Sequence, residues 1–250
     1  MRLLLCGEGK TDMGQVDPTE DGLKFRPGPM AWMVDKLLEE RLGYSPLDTH
    51  ATGAQCVRLI TKAELKQKSP KKPVVLPGAK FAMGTHHFKR NAHVLGLIAM
   101  EEAGATGDVV IAVLFRDTDG TRSAPRNLWE EKWNSMHAGF RLSKFPFGVA
   151  MLPRPKSEAW LICGLKETPY QNCAILEEGP GNDASPNSLK NQLDCIVGHA
   201  AGAEEQASWI ASGRIDPDRI DMPSFNCFRD NLEASCKEAM KPKADVGPPL

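Results

Sequence analysis

The chain has no surplus of charge, no paired cysteines and no long apolar run, and each absence removes a class of protein. Its 31 basic side chains stand against 32 acidic ones, a formal net charge of −1. Global charge therefore points to no polyanionic partner; only a local patch can. None of the seven cysteines (Cys6, Cys56, Cys163, Cys173, Cys195, Cys227, Cys236) belongs to a Cys-x-x-Cys pair, and their number is odd. Structural zinc and a disulfide framework are thus not expected, and the cysteines read as those of a reduced, cytoplasmic protein. No apolar run approaches membrane-spanning length, and Met1–Glu8 turns polar too soon for a signal peptide. There is no internal repeat. Gly9-Lys-Thr11 lacks the upstream glycine that a nucleotide-binding P-loop needs, so no ATPase motif is expected in this chain.

What is present is an ordinary globular composition, 41% hydrophobic and 25% charged over 250 residues. That length suits one large domain or two small ones with a real core. Arg2–Cys6 reads as a short strand, and Asp17–Pro29, with its prolines, as a loop. Pro29–Leu42 reads as a helix, with proline in its first turn, Gly43 at its end and an apolar face of Trp32, Met33, Leu37, Leu38 and Leu42. A second helix is expected over about 85–102, before the glycine-rich break Gly104–Gly107. Val109–Phe115 is a short apolar run of the buried-strand kind. Leu128–Leu142 is helical in pattern, with Trp129, Trp133 and Phe140 as core residues, and Phe147–Pro153 is a further strand. Trp160 also reads as core. Beyond Cys163 the pattern weakens to helices near 189–199, 203–212 and 224–239, and 241–250 reads as a disordered tail. Alternating strands and helices predict an α/β fold with a mainly parallel sheet flanked by helices and a helical C-terminal extension.

Three polar motifs each follow an expected strand: Glu8-Gly-Lys-Thr-Asp12, Asp117-Thr-Asp119 and Lys156-Ser-Glu158. Parallel strands joined by right-handed crossovers deliver their C-terminal ends to one edge of a sheet, where open α/β folds bind ligands. Clustered carboxylates repel unless a cation or a proton lies between them. The set Glu8, Asp12, Asp117, Asp119 and Glu158 therefore points to a hard-cation site, suited to Mg²⁺ and to phosphate oxygens.

A glutamate in a glycine-rich loop after the first strand, then Asp-x-Asp after a later apolar strand, resembles the Toprim pattern. Topoisomerases, bacterial primases, small ribonucleases and OLD-family nucleases share it. The OLD-type version adds an acidic residue four positions after the glutamate, here Asp12, and a later Ser-x-Glu motif. Lys156-Ser-Glu158 stands in that place, with Lys in the first position. The resemblance covers about 1–165, a Toprim-like catalytic domain, leaving 166–240 as a helical extension packed on it. It implies one or two Mg²⁺ or Mn²⁺ ions held by Asp117, Asp119 and Glu8, with Asp12 and Glu158 completing a second position. It implies Glu8 as the general acid or base, Lys156 as a charge on the phosphate, and Lys190 as the downstream lysine. The implied activity is phosphodiester hydrolysis of DNA or RNA. The implied setting is prokaryotic antiviral defence, with control by a separate ATPase subunit and no membrane association.

Other readings of the same residues remain. Asp117-Thr-Asp-Gly-Thr121 also fits the first motif of a haloacid-dehalogenase-like phosphatase, with Asp117 as nucleophile and Asp119 as general acid. That motif usually opens its domain and has a downstream Asp-Asp pair, which is missing here. A calcium-binding EF-hand loop fails because its twelfth position is Leu128. A non-catalytic Toprim-like interaction subunit is the third reading. Residues 58–90 carry nine cations, Arg58, Lys62, Lys66, Lys68, Lys71, Lys72, Lys80, Lys89 and Arg90, against Glu64 alone. They form either a solvated face or a track for a nucleic-acid backbone. Within that track Lys62, Lys66, Lys71, Lys72, Lys89 and Arg90 are the candidate contacts. The neighbouring His86, His87 and His93 suit a helix surface or phosphate better than a metal.

Overall fold

The computed structural model describes residues 1–9, 11–19, 22–69, 85–119, 127–167 and 172–241. Its centre is a four-stranded sheet of β1 (Arg2–Cys6), β4 (Val57–Ile60), β5 (Val110–Phe115) and β6 (Gly148–Met151), in the order β4-β1-β5-β6. Every pairing is parallel: Cys6 lies opposite both Ile60 and Leu114, and Phe115 opposite Met151. The expected α/β class and parallel sheet are what the structure contains.

β5, β6 and Leu3–Cys6 of β1 read as apolar runs because both faces are covered, whereas β4 exposes Arg58. Successive side chains alternate between two cores. Leu3, Leu5, Ile111, Val113, Phe115, Val149 and Met151 face one cluster. Helices α1 (Pro29–Leu42), α2 (Pro46–Ala51), α6 (Ser157–Gly164), α7 (Leu189–Val197), α8 (Ala203–Ala211) and α9 (Pro223–Ala239) share it. Leu4, Cys6, Val110, Ala112, Leu114 and Ala150 face the other cluster. That one is closed by α3 (Lys62–Lys68), α4 (His86–Thr106) and α5 (Leu128–Ser143). The helix α9 lies directly against β5 and β6, so residues beyond 166 help cover the sheet. Trp160 is fully buried, with its ring 5.0 Å from Phe225 and 5.7 Å from Phe228 and its indole N–H donating to Ser224.

The helix boundaries follow from their caps. Gly43 ends α1 with φ 75°, and its N–H reaches the Glu39 carbonyl. The expected break at Gly104–Gly107 comes later: α4 runs through Gly104 to Thr106, and Gly107 caps it at φ 73°. Ser45, Thr61 and Ser188 cap α2, α3 and α7 through side-chain oxygens.

Two expectations are overturned. Asp17–Pro29 was expected as a loop, but it belongs to an antiparallel ribbon, β2 (Gly14–Thr19) with β3 (Gly22–Pro27). Val16 opposite Phe25, and an Arg26–Asp17 ion pair, hold it together. The cysteines are not all free either: Cys163 at the end of α6 is disulfide-bonded to Cys173, whose Cα is 5.7 Å away. The ten-residue separation hides this pair from any Cys-x-x-Cys rule. The expected tail 241–250 lies outside the described residues, apart from Lys241. Among the described residues, no helix is long and apolar enough to cross a membrane.

Candidate active site

The C-terminal ends of β1, β5 and β6 carry the three polar motifs to one edge of the sheet, as the parallel pairing requires. Asp117 and Asp119 leave β5 in a turn that the next motif holds in shape. The backbone N–H groups of Thr118 and Asp119 both donate to the Pro155 carbonyl at 3.1 Å, and the Thr118 hydroxyl donates to the Pro153 carbonyl at 2.6 Å. Asp119 takes a left-handed φ of 49°, a conformation that Asp tolerates better than most residues.

Ser157 is where two of the carboxylates meet. As the first residue of α6 its N–H has no partner within the helix, and it donates to Asp117 Oδ1 at 3.1 Å. Asp12 accepts from the Thr11 hydroxyl, and the Ser157 hydroxyl lies near enough to help lower the Asp12 pKa. Asp12 and Asp117, 105 positions apart, thus both lie beside one buried serine. Glu158 follows on the same first turn of α6. Lys156, just before it, pairs with Asp183 at 2.8 Å and lies 3.7 Å from Asp119.

The charges confirm the crowding. Burial and the neighbouring Asp12, Glu158 and Asp119 push the Asp117 carboxyl well above the usual carboxylate range. Burial, then Glu158 and Glu8, raise Asp12 from its ordinary 3.8 to about 6, against the two hydroxyls that lower it. Burial also raises Glu158, against the opposing charges of Lys156 and Lys190. Each is a carboxylate short of positive charge. Oxygen donors in such a set suit Mg²⁺ or Mn²⁺. As the side chains stand, no three Asp, Glu, His or Cys groups among the described residues converge closely enough to ligate one ion.

Glu8 stands at the margin of the cluster, held by a 2.7 Å ion pair with Arg116. Arg116 is nearly all buried, and its Nε has no hydrogen-bond partner among the described residues. Lys132 of α5 donates to the Thr118 carbonyl; burial lowers its pKa, while Asp119 and Glu8 pull it back up. Arg116, Lys132 and Asp183 lie beside these carboxylates and were passed over in the sequence, whereas Ser157 stood inside a quoted motif without a role of its own. A charged residue directly after the apolar run Val110–Phe115 was the one available signal, for Arg116.

The other expected residues divide. Lys190 is exposed on the first turn of α7, near enough for its charge to reach Glu158 but without contact to it. Lys62, Lys66 and Arg90 line a cleft together with Glu8 and Arg116. Lys89 lies on α4 outside that lining. Lys71 and Lys72, like Thr121 of the phosphatase motif, lie outside the described residues. His87 lines the cleft too; burial, then Arg116 and Lys132, lower its pKa.

Asp12 is placed by the start of α1. Its carbonyl accepts from Met30 N–H at 2.9 Å, and a Cβ on Gly28 would sit 2.3 Å from that carbonyl oxygen. Gly28→Ala must therefore push the Asp12 backbone away from Ser157. For the activity proposed below, the expected result is a ~10²-fold loss, from a displacement near 1 Å. The accompanying cost in stability is about 1–3 kcal/mol. Full activity in a folded Gly28→Ala variant, checked by circular dichroism, would remove Asp12 from the site.

No protein-family model matches the chain, and neither a curated protein nor a solved structure shows significant similarity to it.

Proposed function

We propose that the chain is a divalent-metal-dependent phosphodiesterase acting on nucleic acid, as its resemblance to the Toprim pattern implies. The observation that carries the reading is the meeting of Asp12, Asp117 and Glu158, from three strand ends, around Ser157. Asp117, Asp119 and Glu8 would hold one Mg²⁺ or Mn²⁺, and Asp12 and Glu158 a second. Such ions supply charge stabilisation at the phosphate and an activated water. The chain's own residues do the rest. Glu8, oriented by Arg116, takes or returns a proton at the attacking or leaving oxygen. Lys156, anchored by Asp183, presents its ammonium to the phosphate beside Asp119. Ser157 anchors Asp117 through its backbone N–H. Lys190 adds a more distant positive charge.

The phosphatase reading uses Asp117 and Asp119 but gives Asp12, Glu158 and Ser157 no task, so the carboxylate meeting favours the metal reading. We further infer a role in prokaryotic defence, in the cytoplasm, under the control of a separate ATPase subunit. Incubation of plasmid DNA and of tRNA with the protein and Mg²⁺ or Mn²⁺ tests the activity. Cleavage that stops with a chelator is expected. Intact substrates, with the protein alone and with its genomic neighbours, would sink the enzyme and leave an assembly subunit of the same fold.

A further inference from the structure

The acidic centre borders an oppositely charged cleft. Between α3, α4 and the end of β5 lies a space of about 730 Å³, lined by Lys62, Lys66, His87, Arg90, Arg116 and Glu8. That volume is in the range of sites that enclose one small organic ligand, roughly 300–1,000 Å³.

The basic stretch divides according to its partners. Arg58 is spent on Glu64 and Glu102, and Lys68 on Glu101. Lys62, Lys66 and Arg90 form no ion pair among the described residues, and these three line the cleft. Arg116, the buried lining residue, gives one nitrogen to Glu8 and leaves its buried Nε without a partner. A buried donor left unpaired in a cationic cleft calls for an anion. The remaining lining is uncharged: Ala63, Leu65, Ser69, Asn91 and the imidazole of His87, whose ring packs on Phe88 at 4.2 Å. Cations beside a flat ring and an apolar wall suit a nucleotide, with its phosphate on the former and its base on the latter. A duplex keeps its base faces stacked inside and presents backbone and groove edges, which need an open track rather than a cleft.

We propose that this cleft receives one unpaired nucleotide of a single-stranded nucleic acid and sets the adjoining phosphate across Glu8, at the carboxylates. This deepens the phosphodiesterase reading and rests on it for the fate of that phosphate. Glu8 serves both sides: it neutralises part of Arg116 and marks the boundary between the anion cleft and the cation centre.

Binding in a chelator, where no cleavage occurs, tests the proposal. Fluorescence anisotropy of a short labelled single strand, DNA and RNA, is compared with its own duplex. The single strand is expected to bind at least about tenfold more tightly, a factor equivalent to ~1.4 kcal/mol. Lys66→Ala combined with Arg90→Ala changes two exposed side chains and leaves the fold intact. It should weaken single-strand binding roughly tenfold or more and reduce the log–log salt slope by about 0.7 per cation. Lys237→Ala, on the exposed side of α9, should change neither. Adenosine monophosphate should compete only weakly; binding of the mononucleotide tighter than that of the strand would overturn the assignment to a strand. Equal or better binding of the duplex, no binding by wild type, or an unaffected double variant would each overturn the cleft. Single-strand binding that depends on Lys66 and Arg90, without cleavage in Mg²⁺, would support the cleft and sink the phosphodiesterase.

Discussion

Asp117→Asn is expected to cut Mg²⁺-dependent cleavage by roughly 10³-fold and, at the same time, to raise the melting temperature of the metal-free protein. The first effect follows from what a bound ion contributes. Charge stabilisation of several kcal/mol at the phosphate, taken as ~4 kcal/mol, converts at about 1.36 kcal/mol per decade to that factor. The second follows from the site itself. Asp117 is buried and faces Asp12, Glu158 and Asp119, which hold its pKa well above the normal range. Its ionised form at neutral pH is therefore a liability in the absence of a cation. Asn keeps an oxygen to accept the Ser157 N–H but carries no charge, so the repulsion disappears with the structure in place. Thermal unfolding in a chelator should move up by a few degrees, and the stabilisation that Mg²⁺ gives to wild type should shrink. A variant that cleaves like wild type, or that melts lower without metal, would mean that Asp117 serves the fold and not the centre.

The metal-free protein should also lose stability as pH rises from about 4 to about 7, the reverse of the usual acid response. Asp12, Asp117 and Glu158 all have folded-state pKa values above their unfolded ones. Between an unfolded value of 3.8 and a folded value of about 6, the folded chain holds more protons at Asp12 than the unfolded chain does. Stability must therefore fall with rising pH through that window, and the full penalty is present above it. For Asp12 alone the rise corresponds to ~3 kcal/mol at most, since one pKa unit is worth about 1.4 kcal/mol and water screens the exposed part of the group. Asp117 and Glu158, both raised, add to the decline. Urea unfolding across this range, in a chelator, checks the sign. The decline should be reduced in Asp12→Asn and largely removed by saturating Mg²⁺. A wild-type curve that rises toward neutral pH and does not respond to Asp12→Asn would contradict the buried cluster.

The parts of this protein that were readable from sequence are those whose local pattern carries the information. β1 and β5 are apolar runs bounded by polar turns, and α1 has proline at its start and glycine at its end. The three polar motifs are each attached to a strand, so a parallel sheet was enough to bring them to one edge. The β2–β3 ribbon was not readable, because Asp17, Pro18, Gly22 and Pro27 have loop character and only cross-strand partners such as Val16 and Phe25 reveal the pairing. β4 is four residues long, with Arg58 exposed in its middle, and leaves little periodic signal. The roles of Ser157 and Arg116 depend on contacts more than a hundred positions away, to Asp12 and Glu8. The same holds for the basic stretch. Its composition left a solvated face and a track both open, whereas ion pairs withdraw Arg58 and Lys68 and leave Lys62, Lys66 and Arg90 at the cleft.

The account stands on the carboxylates acting as a cation centre, and uptake of Mn²⁺, followed by the electron paramagnetic resonance of the free ion, measures that directly. Wild type should take up one or two ions that Mg²⁺ displaces, and both Asp117→Asn and Glu158→Gln should weaken uptake at least about tenfold, as loss of a ligand or its support does. No uptake by wild type, or equal uptake by the two variants, would contradict the centre.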